Sequence, residues 1–106
     1  MDRNVNRLIK SADTYFKFKT RNKLKLDRRS AIEVCRQSEK NGLLVFRIEG
    51  GIWWNPKFEA RVDSIWDGYD LPCDRLMVRA NNLLAEKFLA AEPEEYTAFI
   101  ITSVLY

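Results

Sequence analysis

Six carboxylates fall between Glu49 and Asp74: Glu49, Glu59, Asp63, Asp67, Asp70 and Asp74. Only Lys57 and Arg61 oppose them there, and the same stretch holds all three tryptophans, Trp53, Trp54 and Trp66, with Tyr69. Paired carboxylates are the minimum equipment for glycosidic or metal-assisted hydrolysis, and Asp63/Asp67 and Asp70/Asp74 qualify by residue type. Each also has a structural use. Asp67 precedes Gly68 in a turn signal, while Asp70 and Asp74 stand where acids stabilise a helix start. The chain contains no histidine, which removes histidine acid–base catalysis, the Ser-His and Cys-His pairs and every histidine metal site. Gly50-Gly51 belongs to neither phosphate-binding glycine pattern. Cys35 and Cys73 cannot close a zinc site alone and match no C-x-x-C spacing. Two free thiols in a reducing compartment are expected, with one disulfide as the alternative. The expectation is a protein that is not an enzyme and takes no metal and no cofactor.

Recognition is the chemistry that remains. Aromatic side chains supply contact energy at the centre of an interface, and charges steer the approach and select the partner. Trp53, Trp54, Glu59, Asp63, Asp67, Tyr69, Asp70 and Asp74 are therefore candidate contacts for a basic protein. The competing reading makes the tryptophans core residues and the acids turn and cap residues, and Trp66 on an alternating stretch suits it. Trp53 and Trp54 point to opposite faces if extended, so at least one lies outside the main core.

Charge is uneven along the chain. Residues 1–40 carry a net +7 and residues 41–106 a net −4, within a total of +3. Lys17, Lys19, Arg21, Lys23, Lys25, Arg28 and Arg29 alternate with Phe16, Phe18, Leu24 and Leu26. Segment 17–29 reads either as a phosphate-contacting surface of a small nucleic-acid-binding module or as a solvated face or lysine-protected edge strand. No RNA-binding signature accompanies it.

The elements that must position these residues come from periodicity. The 106 residues, 46% hydrophobic and 31% charged, predict one domain over 1–106. The chain lacks a run of about 18 apolar residues, the length that spans a bilayer, and its start is polar, so a cytoplasmic protein without membrane contact is expected. Val5, Leu8, Ile9, Ala12 and Phe16 predict a helix over 4–16. Residues 17–26 fit a short extended segment or a loop. A second helix is expected to about Lys40, starting at a Ser30/Glu33 capping box or at Asp27 and stopped by Asn41-Gly42. Leu43–Ile48 predicts a buried strand, Gly50-Gly51 a turn or bulge, Asn55-Pro56 a turn, and Phe58 to Trp66 a second strand. Leu76, Met77, Ala80, Leu83, Leu84, Phe88 and Ala91 form the clearest helical stripe and predict the buried face of a third helix, ended by Pro93. Residues 95–105 predict an interior strand. The expected fold class is α+β, with a small antiparallel or mixed sheet of about three strands, helices packed on it, and the order α-α-β-β-α-β.

The stretches Glu49-Gly50-Gly51-Ile52-Trp53-Trp54-Asn55-Pro56, Phe58-Glu59-Ala60-Arg61, Ile65-Trp66-Asp67-Gly68 and Phe99-Ile100-Ile101-Thr102-Ser103 resemble bacterial contact-dependent growth inhibition immunity proteins of the CdiI type, paired with ribonuclease toxins. The resemblance covers about the C-terminal half. It implies a cytoplasmic, non-enzymatic protein that binds the C-terminal toxin domain of a CdiA effector and covers its active site. A nuclease cleft is basic and its inhibitors are commonly acidic, whereas this chain is net basic. The resemblance therefore confines any mimicry of phosphate charge to the acidic 49–74 region.

Overall fold

The computed structural model describes residues 7–18 and 23–106. Its elements run β1 (Leu8–Ile9), α1 (Ala12–Phe18), β2 (Lys25–Leu26), α2 (Arg28–Ser38), a 3-10 turn (Glu39–Asn41), β3 (Leu43–Trp53), β4 (Phe58–Asp67), α3 (Arg75–Ala91) and β5 (Ala98–Leu105). Among the described residues the sheet is mixed and five-stranded, in the order β1-β2-β5-β3-β4. β1 pairs parallel with β2, and every other pairing is antiparallel. This corrects the expectation of about three strands in the order α-α-β-β-α-β. Two-residue strands are too short to print an alternation, and Leu8-Ile9 fits a helical stripe equally well. The predicted helix over 4–16 begins only at Ala12, and its Val5 lies outside the described residues.

Helix α2 starts where Asp27 accepts from the Ser30 N–H at 2.9 Å, so Asp27 is the cap and the Ser30 alternative is not used. It ends at Ser38 and passes into the 3-10 turn, which stops at Gly42, whose φ of 75° lies in the left-handed region. Gly50-Gly51 does not turn the chain. β3 runs through both glycines, and its register with β4 shifts between Glu49 and Gly51. A Cβ at Gly50 would strike the Ser64 hydroxyl and lie 2.9 Å from the Phe99 ring. Glycine there lets the swollen part of β4 close onto the core.

Val45, Ile48, Phe99 and Ile101 point from the sheet into a core shared with Tyr15 of α1, Val34 and Cys35 of α2, and Ala85 and Leu89 of α3. Cys35 and Cys73 are both free. Burial pushes the Cys35 thiol up to about 12 and the Tyr15 phenol, which hydrogen-bonds Ser103, also to about 12.

The inward face of α3 differs from the expected one. Val78, Asn81, Asn82, Ala85 and Leu89 are buried, whereas Leu76, Met77, Leu83 and Leu84 are exposed. The reason is that β4 ends at Asp67 and leaves the edge of β3 without a strand partner. Asn82 accepts from the Val45 N–H at 2.9 Å and donates to the Leu43 carbonyl at 3.1 Å. Asn81 donates to the Val45 carbonyl at 2.8 Å and accepts from the Tyr69 N–H at 2.8 Å. Two side-chain amides thus stand in for the missing strand. Leaving buried backbone groups unpaired costs more than exposing leucines, so the helix turns its polar residues inward.

Helices α2 and α3 are also joined by ion pairs. Arg36 meets Glu86 at 2.8 Å, and Glu39 takes Arg75 at 2.7 Å and Arg79 at 2.9 Å. The hydrogen bonds from Arg79 and Arg75 lower the Glu39 carboxyl from 4.5 to about 2. Because the folded value is the lower one, this stabilisation is complete above pH 4.5 and disappears as the pH falls towards 2. Denaturant titrations are expected to find Glu39→Gln less stable than the native chain at neutral pH. The two should converge near pH 2, and the gap should narrow in high salt because the arginines face solvent. A gap that stays constant across this range would show that Glu39 acts by packing alone.

Candidate functional site

Strand β4 forms one edge of the sheet, and the candidate residues follow it. At ~3.3 Å per residue a strand of this length extends about 30 Å, so they form a strip with two ends. The β3–β4 hairpin makes the first end. The Trp54 N–H donates to the Lys57 carbonyl at 2.7 Å across a tip where Asn55 has a φ of 42°. Trp54 is 63% exposed. Its indole Nε1 donates to Glu59 Oε1 at 2.8 Å, while Glu59 Oε2 pairs with Arg61 at 2.9 Å. Glu59 therefore fixes the tryptophan, with much of its charge already answered. Trp53 is half-buried on the sheet face opposite Ile52, so neither Trp53 nor Trp54 joins the buried core. Trp66 is half-buried and packs against that core.

Midway, β4 swells. Between the Ile65–Glu49 and Ala60–Gly51 pairs, five residues of advance on β4 oppose two on β3. Asp63 and Ser64 lie in this bulge. The Tyr96 hydroxyl donates to both Asp63 carboxylate oxygens, each at 2.9 Å, and the Asp63 hydrogen bond raises the phenol pKa. Ser64 donates to Glu92. These contacts bring the α3–β5 connection, with exposed Glu94 and Glu95, beside Asp63. The sequence reading did not select Glu92, Glu94 and Glu95. Their run Glu92-Pro93-Glu94-Glu95 was visible, but only the fold places it against the strip.

At the far end, Asp67 is exposed and sits 3.7 Å from Arg47. Tyr69 is 38% exposed, and its backbone is held by Asn81. Asp70 is exposed, and its carbonyl accepts from the Cys73 thiol. Asp74 caps α3, accepting from the Met77 N–H at 2.8 Å. The structure thus gathers Trp54, Glu59 and Asp63 with Glu92, Glu94 and Glu95, and sets Asp67, Tyr69, Asp70 and Asp74 apart along the same edge. The carboxylates do not converge on one point, which a pair acting on a single bond requires.

The basic segment is also dispersed. Arg28 is turned inward, donating to the carbonyls of Leu89, Glu92, Pro93 and Tyr96. Lys17, Lys23 and Arg29 face solvent, and Lys19 and Arg21 lie outside the described residues.

An exposed ring held by a carboxylate, on a strand edge flanked by further acids, is an arrangement suited to docking against another protein. Residues 24–104 match the model of the colicin-E5 Imm protein family, and the chain belongs to that family of immunity proteins, which are inhibitors rather than enzymes. It is 42% identical over 103 residues to a protein named immunity protein CdiI from Burkholderia pseudomallei, covering 97% of this chain and 94% of the relative. It is 41% identical over 81 residues to a colicin-E5 immunity protein from Escherichia coli, covering 74% of this chain and 96% of the relative. A second Escherichia coli protein, the colicin-E5 immunity protein in ColE9, matches over the same span with the same identity. The likeness therefore extends beyond the C-terminal half that first suggested it.

Proposed function

We propose that this chain is the cytoplasmic immunity partner of a CdiA-type C-terminal ribonuclease toxin domain and neutralises it by one-to-one binding that covers the active site. The observation that carries the reading is Trp54, exposed at a hairpin tip and held in place by Glu59 beside the Asp63 bulge. A pre-positioned ring loses little freedom on binding, so it anchors efficiently. The acids along β4 and Glu92, Glu94 and Glu95 supply a negative field suited to a cleft that binds RNA phosphates. In this reading Trp53, Trp54 and Tyr69 are anchors, and Glu59, Asp63, Asp67, Asp70 and Asp74 are the charged contacts.

The test is co-expression and co-purification with the toxin domain encoded next to this chain, followed by binding kinetics. The native chain is expected to protect cells and to form an equimolar complex. Trp54→Ala should weaken the complex about 30-fold or more, chiefly by faster dissociation. The Asp67→Lys/Asp70→Lys double variant should slow association, with a smaller penalty at high salt. A native chain that neither binds nor protects would refute the function. A complex indifferent to Trp54 and to both aspartates would refute the surface.

A further inference from the structure

We infer that Tyr96 is a positioning residue for toxin binding, holding the Asp63 carboxylate in one orientation without neutralising it. The inference rests on the immunity reading above and deepens it. Of the three acids on β4, Glu59 stands against Arg61 at 2.9 Å and Asp67 against Arg47 at 3.7 Å. Asp63 is held instead by a phenol, which donates to both carboxylate oxygens at 2.9 Å. A cationic partner within the chain offsets the charge of an acid, whereas a neutral donor leaves that charge for a cation outside. Glu95 and Arg61 act on the same phenol in opposite senses, and the Arg61 guanidinium is engaged with Glu59.

The bulge needs such a support. Residues 61–64 have no register partner on β3, so the ladder does not set where they point. Val62 is 91% exposed and contributes no packing that could hold them. Ser64 is fully buried and donates to Glu92, which ties the main chain of the bulge to the α3–β5 connection. That tie leaves the Asp63 side chain free to rotate, and Tyr96 removes the freedom. The Tyr96 ring belongs to the core, at 8% exposed. Its N–H donates to the Pro93 carbonyl at 3.0 Å and its carbonyl accepts from Arg28 at 2.9 Å, so the hydroxyl is a fixed post. One phenol hydrogen shared between two oxygens leaves most of the carboxylate's acceptor sites open to a toxin lysine or arginine. A carboxylate already immobile loses less freedom when that cation arrives.

A double-mutant cycle on binding to the toxin domain tests this. Tyr96→Phe keeps the ring in the core and the Ser64–Glu92 bond, so its circular dichroism spectrum should match that of the native chain. It should nevertheless weaken the complex about fivefold, the scale of ordering one flexible side chain. In an Asp63→Ala background the same substitution should change affinity by no more than about twofold, because the carboxylate it serves is gone. A packing role for Tyr96 predicts equal losses in the two backgrounds. Without toxin, absorbance titration reads the contact itself. Asp63 holds the Tyr96 phenol above its ordinary value of 10.0, and Asp63→Asn should lower it. A Tyr96→Phe complex as tight as the native one overturns the inference. So do equal losses in both backgrounds, or a phenol unmoved by Asp63→Asn, and in each case a native chain that binds toxin keeps the immunity reading. A native chain that binds no toxin refutes that reading and this inference with it.

Discussion

Arg28→Ala is expected to lower the stability of the folded chain by about 3 kcal/mol and to weaken toxin binding without touching the toxin. The guanidinium donates to four carbonyls at the end of α3 and beyond: Leu89 at 2.9 Å, Glu92 at 2.6 Å, Pro93 at 2.7 Å and Tyr96 at 2.9 Å. It also lies 5.4 Å from the centre of the Phe99 ring. Charged hydrogen bonds contribute about 1.5–3 kcal/mol each, but four bonds to one group are not additive, and the outermost is solvated. A total of about 3 kcal/mol corresponds to a fall in melting temperature on the order of 15 °C for a domain of this size. Lysine restores charge without the planar fork and should recover less than half of the loss. The functional consequence follows the hydrogen bonds. Arg28 holds residues 89–96, Glu92 and Tyr96 from that segment hold Ser64 and Asp63, and Ser64 and Asp63 shape the bulge of β4. Thermal melts and toxin-binding kinetics on the same variant check both halves. A variant melting within about 1 kcal/mol of the native chain would show that water replaces the clamp.

Asn82→Leu is expected to cost a similar amount, about 3 kcal/mol, although leucine matches the shape and is the better helix former. The substitution strips the Val45 N–H and the Leu43 carbonyl of their partners, and removes the oxygen that accepts from the Asn81 side chain at 3.0 Å. Val45 and Asn82 are buried, so water does not take over these bonds, and each orphaned group carries a penalty of about 1–3 kcal/mol. Asn82→Asp should do no better. It keeps the acceptor for Val45 but loses the donor to Leu43 and buries a carboxylate. Urea denaturation measures the loss, and faster hydrogen exchange at the Val45 amide locates it. Protection of that amide unchanged in Asn82→Leu would mean that the β3 edge finds another partner.

Legibility varied with the length over which a signal could repeat. The hairpin from β3 to β4 and the interior strand at the C-terminus repeat over many residues and were readable, and the stop at Gly42 was readable because glycine alone takes the left-handed conformation freely. Leu8-Ile9 and Lys25-Leu26 are two residues each, and their strand state comes from neighbours distant in sequence: Leu26 pairs with Phe99. The apolar stripe of α3 was real but its direction was misread. Periodicity shows that a helix has two unlike faces, and it does not show which one the rest of the chain needs. Gly50-Gly51 reads as a turn or a bulge because glycine permits both, and the register of β3 against β4 shifts there without a turn. The close approach of Ser64 and Phe99, absent from any local window, explains why glycine stands at Gly50.

By itself the sequence pointed to the family, through the stretches that resemble immunity proteins, and showed a concentration of rings and acids in mid-chain. Residue types and their order are sufficient for that, because they set which contacts are chemically available. Tertiary structure alone decided which of those residues are exposed and what holds them. It bound Glu59 to Trp54 and Asp63 to Tyr96, and spread the acids along one edge. It also brought Glu92, Glu94 and Glu95 beside them and turned the asparagines of α3 inward. Each of these depends on satisfying buried backbone and charged groups with whatever lies nearest in space, and nearness in space is not encoded by spacing along the chain.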